Sequence, residues 1–207
     1  FVSVLLEELL SRKKDQGRLS VVVIDVHGEY SYLKDVKDEN LGLSSHEFEI
    51  EHIRGSHIQI PVQALAAETI SSFVADMSPI QVRDLRRVIS EMKDTRDSGY
   101  TLDDIVDRVR DDETISKNTK EALIGWLINL NDTNLFGKSS VPDIKHIVQS
   151  GKITLVDLSD FISLKKKQIV VSHLTGELLN LRRRNEIPPF LLVLEEAHQF
   201  CPESRHE

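Results

Sequence analysis

The sequence predicts an α/β protein: a mostly parallel sheet flanked by helices, carrying an inserted helical subdomain. Residues 19–24, 152–156 and 190–194 are short runs rich in Val, Ile and Leu. Such runs are the pattern of strands buried on both faces, which belong to parallel sheets covered by helices. Each run ends on an acid, Asp25, Asp157 or Glu195. Residues 67–131, between the first and second runs, carry helical periodicity instead, and that placement reads as an insertion within a sheet-forming chain.

The elements follow in order. Val2, Leu5, Leu6, Leu9 and Leu10 share one helical face, with Glu7, Glu8, Arg12 and Lys13 off it, and Gly17 closes the segment. Leu19 to Ile24 is a β-branched strand leading into Asp25-Val-His-Gly-Glu-Tyr30. Residues 31–56 are polar, with short apolar pairs such as Phe48/Ile50, and predict a loop or irregular hairpin. His57 to Ile60 predicts a short strand stopped by Pro61.

Four helices come next. Ile70, Phe73, Val74 and Met77 mark the first, and Ser78-Pro79 starts the second with an N-cap and a proline in the first turn. Thr101-Leu-Asp-Asp104 opens the third with a capping-box pattern. Residues 116–131 form the fourth, with Ala122, Leu123, Trp126, Leu127 and Leu130 inside. Gly137-Lys-Ser-Ser140 imitates the tail of a phosphate-binding loop, but position 132 is Asp and a helix end precedes it, so it reads as a polar turn.

Residues 141–148 predict a short helix and Lys152 to Asp157 a strand. Residues 163–184 predict a long helix burying Ile169, Val170, His173, Leu174, Leu178 and Leu181. Its basic runs, Lys165–Lys167 and Arg182–Arg184, suit solvated helix ends, with a DNA-facing role as the sharper alternative. Phe190 to Leu194 is the last strand, followed by Glu195-Glu-Ala-His198.

With 207 residues the chain suits one large domain or one domain with an insertion. The division expected is residues 1–66 as the first part of the core, 67–141 as the insertion and 142–207 as the second part. A balance of 26 Lys+Arg against 34 Asp+Glu, net charge -8, argues against coating nucleic acid over the whole surface but allows a local basic channel. The single cysteine, Cys201, forms no internal disulfide and fits a reducing compartment. No apolar run approaches the roughly 20 residues of a membrane span, and no signal peptide is visible. The expectation is a cytoplasmic protein with no membrane partner. The chain opens without Met inside a helical pattern and stops at Glu207 soon after the acidic strand, so it is expected to be part of a longer protein.

Ligands of open parallel sheets collect beyond the carboxyl ends of the strands, where Asp25, Glu195 and Glu196 fall. Neighbouring residues at a strand end point to opposite sides, so Glu195 and Glu196 can take different tasks, one at a metal and the other at a nucleophilic water. The plainer alternative is a strand running out into solvent. Asp25-x-His27 allows three readings: a turn with His27 at the surface, a pair of metal ligands, or an acid acting on a bound nucleotide's magnesium and water. A transition-metal hydrolase built from Asp25, His27, Glu195 and His198, and a noncatalytic scaffold, are the competing functional classes.

Residues 19–30 with Asp25-Val-His-Gly-Glu-Tyr, and residues 190–202 with Glu195-Glu-Ala-His-Gln-Phe, resemble the HerA branch of the HerA/FtsK superfamily of P-loop ATPases. Gly151 to Ser159 and Lys167 to Val171 are similar to stretches found between those motifs. The resemblance implies a RecA-like core with an inserted all-helical subdomain and a hexameric ring motor that hydrolyses ATP with magnesium to translocate and unwind DNA. It also implies a role in DNA end processing and repair, with a NurA-type nuclease as partner. It gives Glu195 the Walker B position at magnesium and Glu196 the activation of the attacking water. Asp25 becomes an acid needed for hydrolysis, and His198 a sensor at the nucleotide. The family's P-loop is expected just before Phe1, its arginine finger beyond Glu207 and its barrel domain further upstream. The chain alone is therefore expected to bind nucleotide poorly and to hydrolyse none.

Overall fold

The computed structural model describes residues 2–10, 12, 17–35, 49–74, 77–95 and 99–200. Phe1, Lys13, Phe48 and Cys201, which enter the sequence reading, lie outside them. The chain divides into two compact units, residues 1–58 with 142–207, and residues 59–141.

The first unit is built on a wholly parallel sheet. Its strands are β1 (Ser20–Asp25), β2 (Glu49–Arg54), β5 (Lys152–Asp157) and β6 (Phe190–Leu194), in the order β2-β5-β1-β6. β1 and β5 are central and buried at every residue. Their continuous apolar runs follow from that position, because helices cover both faces. Helix α1 (Val2–Leu10) packs Leu6, Leu9 and Leu10 against Val21, Val23, Ile153 and Leu155. Alternation along the strands sends the intervening residues to the other face. There Thr154 Oγ1 donates to Ile147 O (2.7 Å) of the short helix α6 (Ile144–Ile147). On that face Phe190 and Leu192 also line a groove with Thr175, Leu178 and Leu179 of helix α7 (Leu164–Arg183). Ser163 caps α7, accepting from the Lys166 N–H.

Two expectations need correction here. β6 is partly buried along its length rather than buried on both faces, because among the described residues it stands at the sheet edge with β1 on one side only. β2 lies in the region expected to be loop or hairpin, yet it pairs in register with β5 from Glu49↔Lys152 to Arg54↔Asp157. Its apolar signal is thin because an edge strand buries little: only Ile53 is fully buried.

The second unit contains α2 (Ala67–Ser72), α3 (Pro79–Thr95), α4 (Leu102–Asp111) and α5 (Lys117–Asn131). Pro79 opens α3, and Thr101 and Asp104 form the expected capping box of α4. Buried Leu85, Val88, Ile105, Val109, Leu123 and Leu127 make its core. Trp126 is half-buried rather than inside, since α5 buries the line Leu123, Leu127 and Leu130. The unit starts at Gln59, ahead of the expected residue 67, and a small sheet accounts for this. β3 (Ile60–Pro61) pairs in parallel with β4 (Phe136–Gly137), and Gln59 bridges Val141 antiparallel. The strand expected from His57 to Ile60 forms only in its later part, as the Gln59 bridge and β3, while His57 itself ends a 3-10 turn over Gly55–His57. Among the described residues, no helix is long and apolar enough to cross a membrane.

Candidate functional site

The parallel register aligns the ends of the three acidic strands. Asp25 of β1 lies opposite Asp157 of β5, and Ile24 lies opposite Leu194 of β6. The ladder continues one step further on each side: Leu158 N–H donates to Asp25 O (2.8 Å) and Glu195 N–H to Ile24 O (3.1 Å). Asp157, Asp25 and Glu195 therefore come to one carboxyl edge, where ligands of open parallel sheets bind.

Asp25 organises the loop that follows it. Its Oδ1 accepts from the backbone N–H groups of His27 (3.2 Å), Gly28 (2.7 Å) and Glu29 (3.1 Å), and its Oδ2 from Tyr30 N–H (2.8 Å). Asp25 is 1 % exposed, so its charge is met by amide dipoles and not by water. Gly28 sits at φ +78, and a Cβ there would come within 3.0 Å of Ser159 Oγ and 3.5 Å of Asp157 Oδ1. Only glycine allows both the left-handed backbone and this approach to the end of β5. Lys167 of α7 reaches the same loop, donating from Nζ to Val26 O (2.8 Å). That corrects the reading of residues 165–167 as a wholly solvated run.

The loop then delivers Tyr30 to β6. Its phenol donates to Glu195 Oε1 at 2.6 Å, while the residue as a whole is 5 % exposed in the core cluster with α1. Burial pushes the phenol pKa up, and the hydrogen bond and negative charge of Glu195 push it further, so the group remains a donor. Among the described residues, Glu195 Oε2 has no hydrogen-bond partner.

Asp157 is held from two sides. Its Oδ1 accepts from Ser159 N–H (2.9 Å), and its Oδ2 lies 3.0 Å from His52 Nε2. Burial pushes its carboxyl up, but the Ser159 hydrogen bonds and His52 outweigh it and hold the group below the usual carboxylate range.

Glu196 leaves the strand in the left-handed region, at φ 51 and ψ 39. A non-glycine residue there carries local strain of a kind that clusters at functional sites. The turn ends the strand abruptly and sets Glu196 apart from Glu195. His198, in the 3-10 turn Ala197–Gln199, is 75 % exposed and brings Nδ1 to 3.4 Å from Glu196 Oε2.

Of the residues singled out from sequence, Asp25 and Glu195 are linked through Tyr30, and Glu196 pairs with His198. The four-residue metal centre of Asp25, His27, Glu195 and His198 does not form. Both Asp25 oxygens are taken by backbone donors, His27 points to solvent, and no group of three or more metal-binding side chains occurs among the described residues. A magnesium ion carried on a nucleotide asks less of the protein, one or two carboxylates, and the unpartnered oxygen of Glu195 fits that need. The sequence reading missed Tyr30, His52 and Asp157 as site residues. The strand-end acid at 157 and the aromatic closing the Asp25 motif were the signals available.

Comparisons with known proteins agree with this architecture. The family described as "Helicase HerA, central domain" matches residues 1–178. Among solved structures, the chain is similar to VirB4 of Thermoanaerobacter pseudethanolicus, with a TM-score of 0.62 and 16 % identity over 97 % of this chain and 82 % of that one. At that identity the likeness shows a shared fold. No curated protein gives a significant sequence match.

Proposed function

Since the chain belongs to the HerA central-domain family, which is of ATPase type, we propose that it forms the hydrolytic carboxylate edge of an ATP-driven motor that translocates and unwinds DNA. The observation that carries the proposal is the placement of Glu195 and Glu196 at the end of β6, beside the Asp25 loop on β1.

In this reading Glu195 would hold the magnesium of MgATP through Oε2, which has no hydrogen-bond partner among the described residues, and magnesium would supply charge neutralisation on the transferring phosphates. Glu196 orients the attacking water and takes its proton on a carboxylate oxygen. In the present geometry its Oε2 faces His198, so breaking that contact frees the base, and His198 becomes the group that reports nucleotide state. Asp25 affects hydrolysis by shaping the loop that carries Tyr30. Phosphoryl transfer depends mainly on positioning and charge, which fits a site made of fixed carboxylates.

The remaining parts of the proposal are supported by the resemblance of the sequence motifs to the HerA family. We assign the phosphate-gripping loop to sequence ahead of α1 and the arginine finger to sequence beyond β6. The working form is a cytoplasmic hexameric ring on DNA, partnered by a NurA-type nuclease in end processing and repair. The second unit, residues 59–141, acts as the ring's helical insertion. With a net charge of -8, DNA contact falls to local channel loops.

The test is magnesium-dependent ATPase of the full-length protein with duplex DNA. Glu196→Gln is expected to keep ATP binding and abolish turnover. Wild-type turnover in that variant removes Glu196 from the base role, and absence of any ATPase in the full-length wild type ends the motor reading.

A further inference from the structure

We propose that Tyr30 is the positioning residue that fixes the magnesium-facing carboxylate of Glu195, an inference that rests on the ATPase reading above. The phenol is held at three points. Its backbone N–H is tied to Asp25 Oδ2 at 2.8 Å. Its ring is packed in the cluster with Leu6, Leu9, Leu10, Val21 and Val23, and its O–H reaches Glu195 Oε1 at 2.6 Å. A side chain fixed at backbone, ring and tip has little freedom to give up when a ligand arrives, which is the condition for a preorganised site.

The consequence for Glu195 is a choice between its two oxygens. A donor on Oε1 commits that oxygen to the protein and leaves Oε2 for the cation. Without it the carboxylate can rotate about its last bond and present either oxygen. Partners of this kind typically alter metal affinity by about 10–100-fold.

The arrangement also gives Asp25 a path to the chemistry that needs no contact with nucleotide. Its carboxylate gathers the amides of residues 27–30, the loop sets the position of Tyr30, and Tyr30 sets Glu195. Asp25 and Tyr30 thus act as one positioning chain running from β1 to β6.

Tyr30→Phe keeps the ring and removes only the donor, which makes it the discriminating variant. The measurement is the affinity of the full-length protein for a fluorescent, non-hydrolysable ATP analogue, with magnesium and with chelator, beside urea unfolding to confirm the fold. Tyr30→Phe is expected to keep wild-type affinity in chelator and to lose about tenfold of the gain that magnesium confers. Asp25→Asn, which reaches the same phenol through its backbone end, is expected to shift the gain in the same direction. It provides the second route should Tyr30→Phe unfold. An undiminished magnesium-dependent gain in whichever variant is folded overturns the proposal while leaving the ATPase reading in place. A wild-type protein with no affinity for the analogue overturns both.

Discussion

His52 of β2 and Asp157 of β5 meet at the carboxyl edge of the sheet, Nε2 to Oδ2 at 3.0 Å, so the edge strand holds the acid of its central neighbour. Asp157 is half of a contact whose loss should be felt as stability. Its carboxyl is held below the usual range, since burial raises it but Ser159 and His52 prevail. A depressed folded pKa gives stabilisation that is complete above the unfolded aspartate value, about 3.9, and is lost as pH falls through the folded value. Asp157→Asn is expected to cost about 1–3 kcal/mol at pH 7. The gap to wild type should narrow below about pH 4. Urea unfolding at the two pH values checks this, and a gap independent of pH would contradict it.

Asp25→Asn replaces one of two accepting oxygens with a donor, in a place where four backbone N–H groups converge. At least one amide is left without a partner, at a cost of about 1–3 kcal/mol. Amide hydrogen exchange of residues 27–30 should accelerate by more than that of β5. Unchanged protection of those four amides would show that the carboxylate does not organise the loop.

Gly28→Ala adds a Cβ at φ +78, within 3.0 Å of Ser159 Oγ. The left-handed backbone alone costs about 1 kcal/mol, and the close approach adds to it. The expected loss exceeds about 1 kcal/mol by thermal or urea unfolding. A neutral effect would mean that the loop does not press on the end of β5.

Glu196→Gly relieves a side-chain residue from the left-handed region, φ 51. The substitution is expected to stabilise the chain by up to about 1 kcal/mol, offset in part by greater freedom of the unfolded chain. The same change should abolish ATP turnover in the full-length protein. A more stable variant without activity would identify strain retained for function. Loss of stability would indicate that Glu196 is held there by contacts it needs for folding.

The parts of the fold visible in the sequence are those whose signal is local. β1, β5 and β6 announce themselves as apolar runs, and Pro79, Thr101, Ser116 and Ser163 mark helix starts by side-chain chemistry. β2 escaped because Glu49-Ile-Glu-His-Ile-Arg54 is an edge strand with a diluted apolar pattern, and only its register with β5 defines it. At the site, the acids could be read because a carboxylate closing an apolar run is conspicuous. Tyr30 and Glu195 are separated by 165 positions, and no periodicity links residues that far apart. The backbone cradle of Asp25 was hidden for another reason: the motif shows an acid and a glycine, while the direction of four amides is a property of the folded loop.

The bridge between Gln59 and Val141 has a consequence for how the chain folds. Gln59 N–H donates to Val141 O at 2.9 Å and Val141 N–H to Gln59 O at 3.1 Å, so the two ends of the second unit are pinned side by side. β2 and β5 are sheet neighbours yet flank that whole unit in sequence. If the helical unit closes first, the remaining search sees a short connection in place of a long one. The entropy of closure, which grows as about (3/2)RT ln n, then falls toward that of a much shorter loop. A long excursion in sequence becomes, for the sheet, a short crossover between two parallel strands.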